Sequence, residues 1–278
     1  MRESVKKNQE RIKQLRKIRE SCKNSDEALD YLDQHSADPF GRIVYGKALL
    51  HEGNRKEAKE VFEELLELGN FKHVLKYLSF IELVEKDYIN CLKHINIIEE
   101  LFKEYYDKRD FRYIKYLCMS QLGMQPDINN NSMDYIEYLI FNYNREMVIK
   151  HISNHLIEFH EQKSGILGFD EKDFDDALFA KDTDIEKLYD EMMDILKLDE
   201  VKDITDYAVC TKIYFKYDNI GINTNGKQNY LVVMILTGTD HIISMYPTIS
   251  PERNYLINKN PVFDFQETLK KAREQRAL

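Results

Sequence analysis

The sequence has no tryptophan, only five prolines and ten glycines in 278 residues, and four cysteines that stand far apart. So few chain breakers leave room for uninterrupted helices. Cys22, Cys91, Cys118 and Cys210 make no CxxC and no paired spacing. That excludes a disulfide framework or a zinc ribbon and leaves buried free thiols in a reducing, cytoplasmic setting as the expectation. No apolar run approaches the roughly 18 residues that a membrane span needs, so no membrane is expected. The opening residues, MRESVKKNQERIKQLRKIRE, lack an apolar core behind their charges and do not read as a signal peptide.

What the chain does have is charge, and the charge is segregated. The net value is −9. Residues 1–23 carry nine Lys/Arg against three Asp/Glu, residues 158–206 carry 17 Asp/Glu against six Lys, and residues 207–278 carry nine basic against six acidic residues. An acidic whole argues against general duplex-DNA binding but leaves a local cationic surface at either end.

Most of the first 161 residues follow a helical period. Val5, Ile12, Leu15, Ile18 and Cys22 stripe residues 3–22, which read as the first helix of a stack or as a basic arm for nucleic acid or membrane. Residues 26–34, DEALDYLDQ, read as a second helix ended by Pro39. Residues 39–70, PFGRIVYGKALLHEGNRKEAKEVFEELLELGN, then place Tyr45, Leu49, Val61, Phe62, Leu65 and Leu66 at helical spacing on either side of a Gly53-Asn54 turn. Gly46 and Ala58 are small enough to let the two helices approach closely. The pattern recurs over 71–100, with Ser79 for Gly46 and Cys91 for Ala58, both 33 residues on. Further hairpins are expected at 111–124 and at 133–161, with a loop over 126–132 between them. Gly46, Gly53, Ala58 and Phe62 match the small, Gly, Ala and aromatic positions of the tetratricopeptide repeat, which this stretch resembles. Arg42 and Asn70 stand where that repeat usually has an aromatic and a proline. Four hairpins in series, each too small to bury its own face, predict an α-solenoid.

The resemblance implies a concave groove lined by the first helix of each pair. Ile43, Lys47, Leu50 and His51 would face it, joined by His73, Lys76, Phe80 and Leu83. Lysines and histidines between apolar patches suit a peptide with a few acidic residues. The same residues read equally as inter-repeat contacts and solvated charges. His151, His155 and Glu158 fall at i, i+4 and i+7, a spacing that can hold zinc. With no HExxH in the chain they read as a solvated helix face, and no metal or cofactor is expected. Residues 164–182 are Asp-rich without the glycine and closing glutamate of a calcium loop. Residues 185–198 form an amphipathic helix with Leu188, Met192, Ile195 and Leu196 inward.

The period then changes. Residues 207–217 alternate and are rich in β-branched and aromatic side chains; 218–219 and 221–226 are turn material; 229–237 form a buried-strand run; 238–240 turn; and 241–247 form the next strand. A short extended segment is expected at 255–257. Asp264 caps a last helix, with Glu267 completing a capping box. The segments GKQNYLVV (226–233) and ISMYPTISP (243–251) resemble the basic loop and strand pair of the MazF/PemK and ToxN-like endoribonuclease toxins. That resemblance implies that Lys227 is the cation near a scissile phosphate and Ser250 the hydroxyl beside it, with Thr248 in the same segment. Such chemistry uses the RNA's own 2′-hydroxyl and needs a protein that aligns the strand and stabilises added charge. His241 or Arg253 is a further donor, and Tyr214, Tyr217, Tyr230 and Tyr246 offer stacking surfaces for single-stranded RNA. The alternative is a hairpin whose tyrosines pack the core, in an adaptor or peptide-sensing regulator that is no enzyme.

The sequence thus predicts a mostly α chain. A tetratricopeptide-like α-solenoid covers 1–163, an acidic helical connector 164–204, and a small β-rich, partial barrel-like domain with a C-terminal helix 205–278.

Overall fold

The computed structural model describes residues 30, 33–34, 39–108, 111–125, 143–156, 178–223, 226–251 and 261–276. The chain divides into two compact units, Met1–Gln125 and Pro126–Leu278. The expected boundaries at 163/164 and 204/205 differ from this division. The expected helices over 3–22 and 133–141, the loop over 126–132 and the extended segment at 255–257 lie outside the described residues, as does most of 26–34.

In the first unit, α1 (Pro39–His51) and α2 (Arg55–Glu67) meet across the expected turn, where Gly53 has φ +84°. Ala58, Val61, Phe62 and Leu65 are fully or nearly buried, the i, i+3, i+4, i+7 set that one helix face presents. Gly46 is where the two helices close. A Cβ there would stand 2.8 Å from two ring atoms of Phe62. Helices α3 (Lys72–Val84) and α4 (Tyr88–Leu101) repeat the arrangement. The Asp87 carboxylate caps α4 by accepting from the Asn90 backbone N–H (3.3 Å) and side-chain amide (2.7 Å), which holds its pKa below the usual range. At the position equivalent to the Gly46–Ala58 crossing, the Cys91 thiol donates to the Ser79 carbonyl at 3.1 Å, with both residues fully buried. A short α5 (Lys103–Lys108) and then α6 (Phe111–Gln121) follow. Each helix packs against the next; α3 also touches α1, and α6 touches α4. A buried Glu82 of α3 meets His94 Nδ1 of α4 at 2.8 Å, and Lys59 of α2 reaches Glu85 at 2.6 Å.

The second unit holds α7 (Arg145–Ile152), a 3-10 turn (Ser153–His155), β1 (Leu178–Phe179), α8 (Ile185–Ile195), α9 (Asp199–Lys202), β2 (Cys210–Asn223), β3 (Gly226–Leu236), β4 (Ile242–Thr248), β5 (Val262–Asp264) and α10 (Phe265–Arg276). The chain is therefore mostly helical, with a small sheet in its C-terminal part. β1, β2, β3 and β4 pair antiparallel in that order, and β5 adds to β2 in parallel. Asn144 and Asp184 cap α7 and α8 through their side-chain oxygens, and Asp264 caps α10 by accepting from the Glu267 N–H at 3.0 Å, as expected. The stretch expected to be a connector is part of this unit: α8 packs on α10, and β1 pairs with β2 at residues 221–222.

The Gly- and Asn-rich stretch 218–223 is not a free turn. β2 continues through it, bent by an irregularity between Lys216 and Gly221 where Asn219 has φ +58°. Strands on both sides hydrogen-bond this stretch, and that pairing outweighs its local turn preference. The bend lets the sheet curl, bringing the Leu178 carbonyl and the Pro247 ring against Gly221. Ile213, Phe215, Leu231, Val233 and Met245 form one face of the sheet at 1% exposure or less, and Phe265 of α10 packs edge-on to Phe215 at 6.2 Å.

Candidate functional site

Lys227, Thr248 and Ser250, the residues placed by the toxin resemblance, fall at one end of the sheet, and the further donor His241 does not. Lys227 is exposed at the second position of β3. Thr248 ends β4 opposite Tyr230, and its hydroxyl donates to the exposed Ser250's carbonyl at 3.1 Å. His241 lies at the far end. Its carbonyl accepts from the Leu236 N–H at 3.0 Å, and the nine residue steps from Lys227 to Leu236 span about 30 Å at strand rise. His241 and Lys227 therefore cannot act on the same phosphate, because an extended strand separates them. Arg253 lies outside the described residues.

His241 has a different setting. Its ring stacks on Tyr143 (4.1 Å between centroids, 13°), and its Nε2 is 3.9 Å from Asp240. Burial lowers its pKa, with Asp240 opposing part of the shift. The Tyr143 hydroxyl meets the Tyr189 hydroxyl, and burial raises both phenol pKa values. Arg145 reaches Asp190 at 2.8 Å. This cluster ties the start of α7 to α8 and to the β3–β4 turn.

The four tyrosines divide between the faces. Tyr217 packs on Phe265 at 4.5 Å. Tyr214, Tyr230 and Tyr246 occupy the opposite face, because Tyr214 pairs with Val232, Val232 with Tyr246, and Tyr230 with Thr248. The cations of α10 are matched by acids of α8 and α9: Arg273 to Glu191 (2.9 Å), Arg276 to Asp194 (3.3 Å) and Lys271 to Glu200 (3.5 Å).

In the first unit the groove candidates also divide. Phe80 is 3% exposed and packs on Phe111 (6.4 Å). Leu50 and Leu83 are likewise buried. These three are core, because apolar side chains at helical spacing are taken up by the neighbouring helices. Lys47 is half-buried on α1, and the side chain of His51 lies outside the described residues. His73 is exposed, with its ring edge-on to Tyr105 (5.6 Å) and its Nδ1 3.4 Å from the Tyr105 hydroxyl. Lys76 lies over Tyr77 (5.0 Å) and Phe80 (5.9 Å). Lys72, which the repeat pattern does not single out, lies over Tyr105 at 5.2 Å. Its partner ring is 33 positions away in sequence, so only the fold brings the two together.

The supposed zinc spacing is broken by geometry. α7 ends at Ile152, and Ser153–His155 is a 3-10 turn, so His151 and His155 are not successive turns of one α-helix. Their rings stand edge to face at 6.3 Å, and burial lowers the His151 pKa. Glu158 lies outside the described residues. Among the described residues no helix is long and apolar enough to cross a membrane, and no three His, Cys, Asp or Glu residues group as metal ligands. No family model, curated protein or solved structure matches the chain.

Proposed function

We propose that this protein binds partners through two surfaces. One is an N-terminal helical array of tetratricopeptide type that takes an acidic protein or peptide segment. The other is a C-terminal sheet that binds single-stranded RNA. The array reading is supported by two helix crossings at small residues 33 apart in sequence, Gly46 against Phe62 and Ser79 against Cys91. The observation that carries the partner reading is the side of α3 where Lys72, His73 and Lys76 lie on the rings of Tyr105, Tyr77 and Phe80. The ring contacts order the Lys72 and Lys76 side chains at the surface. A peptide carboxylate meeting them gains charge-assisted hydrogen bonds at a surface already ordered.

The test is fluorescence anisotropy with a labelled Asp/Glu-rich 12-residue peptide. The Lys72→Glu/Lys76→Glu double variant should bind at least tenfold more weakly at an unchanged thermal midpoint. Equal binding by the variant and the parent would remove the groove reading.

A second reading, cleavage of RNA by its own 2′-hydroxyl, is favoured by Lys227, Thr248 and Ser250 sharing one end of the sheet. It needs Lys227 to meet the charge that develops on the phosphoryl oxygens. Lys227→Ala should then cost on the order of a hundredfold in rate, and the products should end in cyclic phosphate. Intact RNA after long incubation with the full chain would leave binding alone.

A further inference from the structure

We infer that the face of the C-terminal sheet carrying Lys216, Tyr230 and Tyr246 is a platform for single-stranded RNA, with Lys216 holding a phosphate and the two tyrosines seating successive bases. The inference rests on the RNA reading of this unit and specifies where the strand would lie. Lys212, Tyr214 and Lys216 of β2 pair with Met234, Val232 and Tyr230 of β3, and those pair with Ser244, Tyr246 and Thr248 of β4. Directly paired residues share a face. One row across the sheet is therefore Lys216–Tyr230–Thr248, and the next is Tyr214–Val232–Tyr246. β5 extends both, with Asp264 beside Lys216 and Val262 beside Tyr214.

The two faces differ in burial along the Lys216 row, although Tyr214 (7%), Val232 (1%) and Ser244 (8%) are buried on this face as well. The opposite face is the core described above. On this one Lys216 is exposed, and Tyr230, Tyr246 and Thr248 are partly exposed. Val262 is 43% exposed at the end of the second row. The exposed places on a sheet ordinarily carry polar residues; the open places on this face carry aromatic rings beside a lysine. Tyr230 and Tyr246 are diagonal neighbours, a separation of about 7–8 Å, wide enough for two splayed bases to lie on two rings. His155 borders the platform, its ring 6.1 Å from Tyr246. Asp264, which shares the Lys216 row, accepts from the Glu267 N–H as the α10 cap.

The chemistry selects the ligand. Flat rings with an adjacent cation match unpaired bases and their phosphate, since stacking contributes to binding whatever the base. A duplex hides its bases and would meet only the charge of a chain that is acidic overall. An acidic peptide would use Lys216 but has no need of paired rings.

The experiment uses the full chain and a fluorescein-labelled 12-nucleotide uridine RNA, with anisotropy read at two salt concentrations. Tyr230→Ala should weaken binding by about five- to 150-fold, the fold-change equivalent to roughly 1–3 kcal/mol per stacked base. Tyr230→Phe keeps the ring and should bind like the parent. Lys216→Ala should weaken binding and lower the salt dependence by about one phosphate contact. Lys270→Ala, on the outer side of α10, should change nothing. Circular dichroism and the thermal midpoint are compared for every variant; if Tyr230→Ala unfolds, Lys216→Glu at an exposed position serves in its place. If the parent binds the RNA while Tyr230→Ala and Lys216→Ala bind equally well, or if Tyr230→Phe loses as much as Tyr230→Ala, the platform is wrong and RNA binding lies elsewhere. If the parent does not bind the RNA at all, the platform and the RNA reading fall together.

Discussion

Gly221→Ala should destabilise the C-terminal unit far more than a single methyl group ordinarily does. Gly221 pairs with Phe179 of β1 on one side and with Gln228 of β3 on the other. A Cβ there would lie 2.3 Å from the Leu178 carbonyl oxygen and 2.6 Å from Cβ and Cγ of Pro247. Carbon and oxygen approach without strain to about 3.3 Å, so about 1 Å must be found. Neither obstacle is the flexible end of a side chain. One is backbone in a hydrogen-bonded strand, and the other is a buried ring. Overpacking of this kind costs about 1–3 kcal/mol. The other way to relieve it is to lift β1 from β2. That gives up the bond from the Ala180 N–H to the Ile220 carbonyl at 2.8 Å and opens Leu178 and Phe179, now at 1% and 0% exposure. Each of those side chains contributes about 1.5–3 kcal/mol by its burial, so this route is no cheaper. A cost of about 2–3 kcal/mol is expected, and for a unit of this size that lowers the thermal midpoint by roughly 4–12 °C. Differential scanning calorimetry reads the midpoint, and amide hydrogen exchange at Ala180 reports whether β1 has separated. A midpoint within about a degree of the parent, with Ala180 protected as before, would refute the close approach and the curl of the sheet that follows from it.

Three further outcomes are expected. Gly46→Ala should cost about 1–3 kcal/mol in urea unfolding, because its Cβ would meet the buried Phe62 ring at 2.8 Å; Phe62→Leu in the same chain should return part of that loss, and additive effects would contradict the contact. His94→Ala should cost about 3–5 kcal/mol by leaving the buried Glu82 carboxylate without its imidazole, whereas replacing both residues with leucine should recover most of it; a loss below about 1 kcal/mol for the single variant would show the pair to be solvated. His241 has its pKa lowered by burial, so below the unfolded value of about 6.5 the unfolded chain binds more protons than the folded one. Stability from this site is therefore complete above that pH and is lost as the pH falls. His241→Phe, which keeps a ring against Tyr143, should flatten the decline of the thermal midpoint between pH 7 and 5, and parallel curves would show that His241 is not the titrating group.

Much of the local structure was determined by the sequence alone, because the signals involved are local. The stripe Ala58, Val61, Phe62, Leu65, the turn at Gly53 and the cap Asp264 follow from side-chain spacing within one or two turns of chain. The close approach at Gly46 follows in the same way, since a missing Cβ matters wherever two helices of one hairpin cross. The change of period near residue 207 announces the strands for a similar reason.

What only the tertiary structure decided are the relations between distant segments. Residues 221–223 have turn chemistry, yet they are strand because β1 and β3 hydrogen-bond them. β5 has three residues and no period to detect, and it exists by pairing with β2. Phe80 and Lys76 share one side of α3, but Phe111 buries the first while rings hold the second at the surface. At the sheet, Lys227, Thr248, Ser250 and His241 are close in sequence, and a hairpin puts His241 a full strand length from Lys227. Lys216, Tyr230 and Tyr246 span 31 positions of sequence and carry no shared motif. They meet because an antiparallel register sets directly paired residues on one face, and register is a property of the pairing, which no single strand contains.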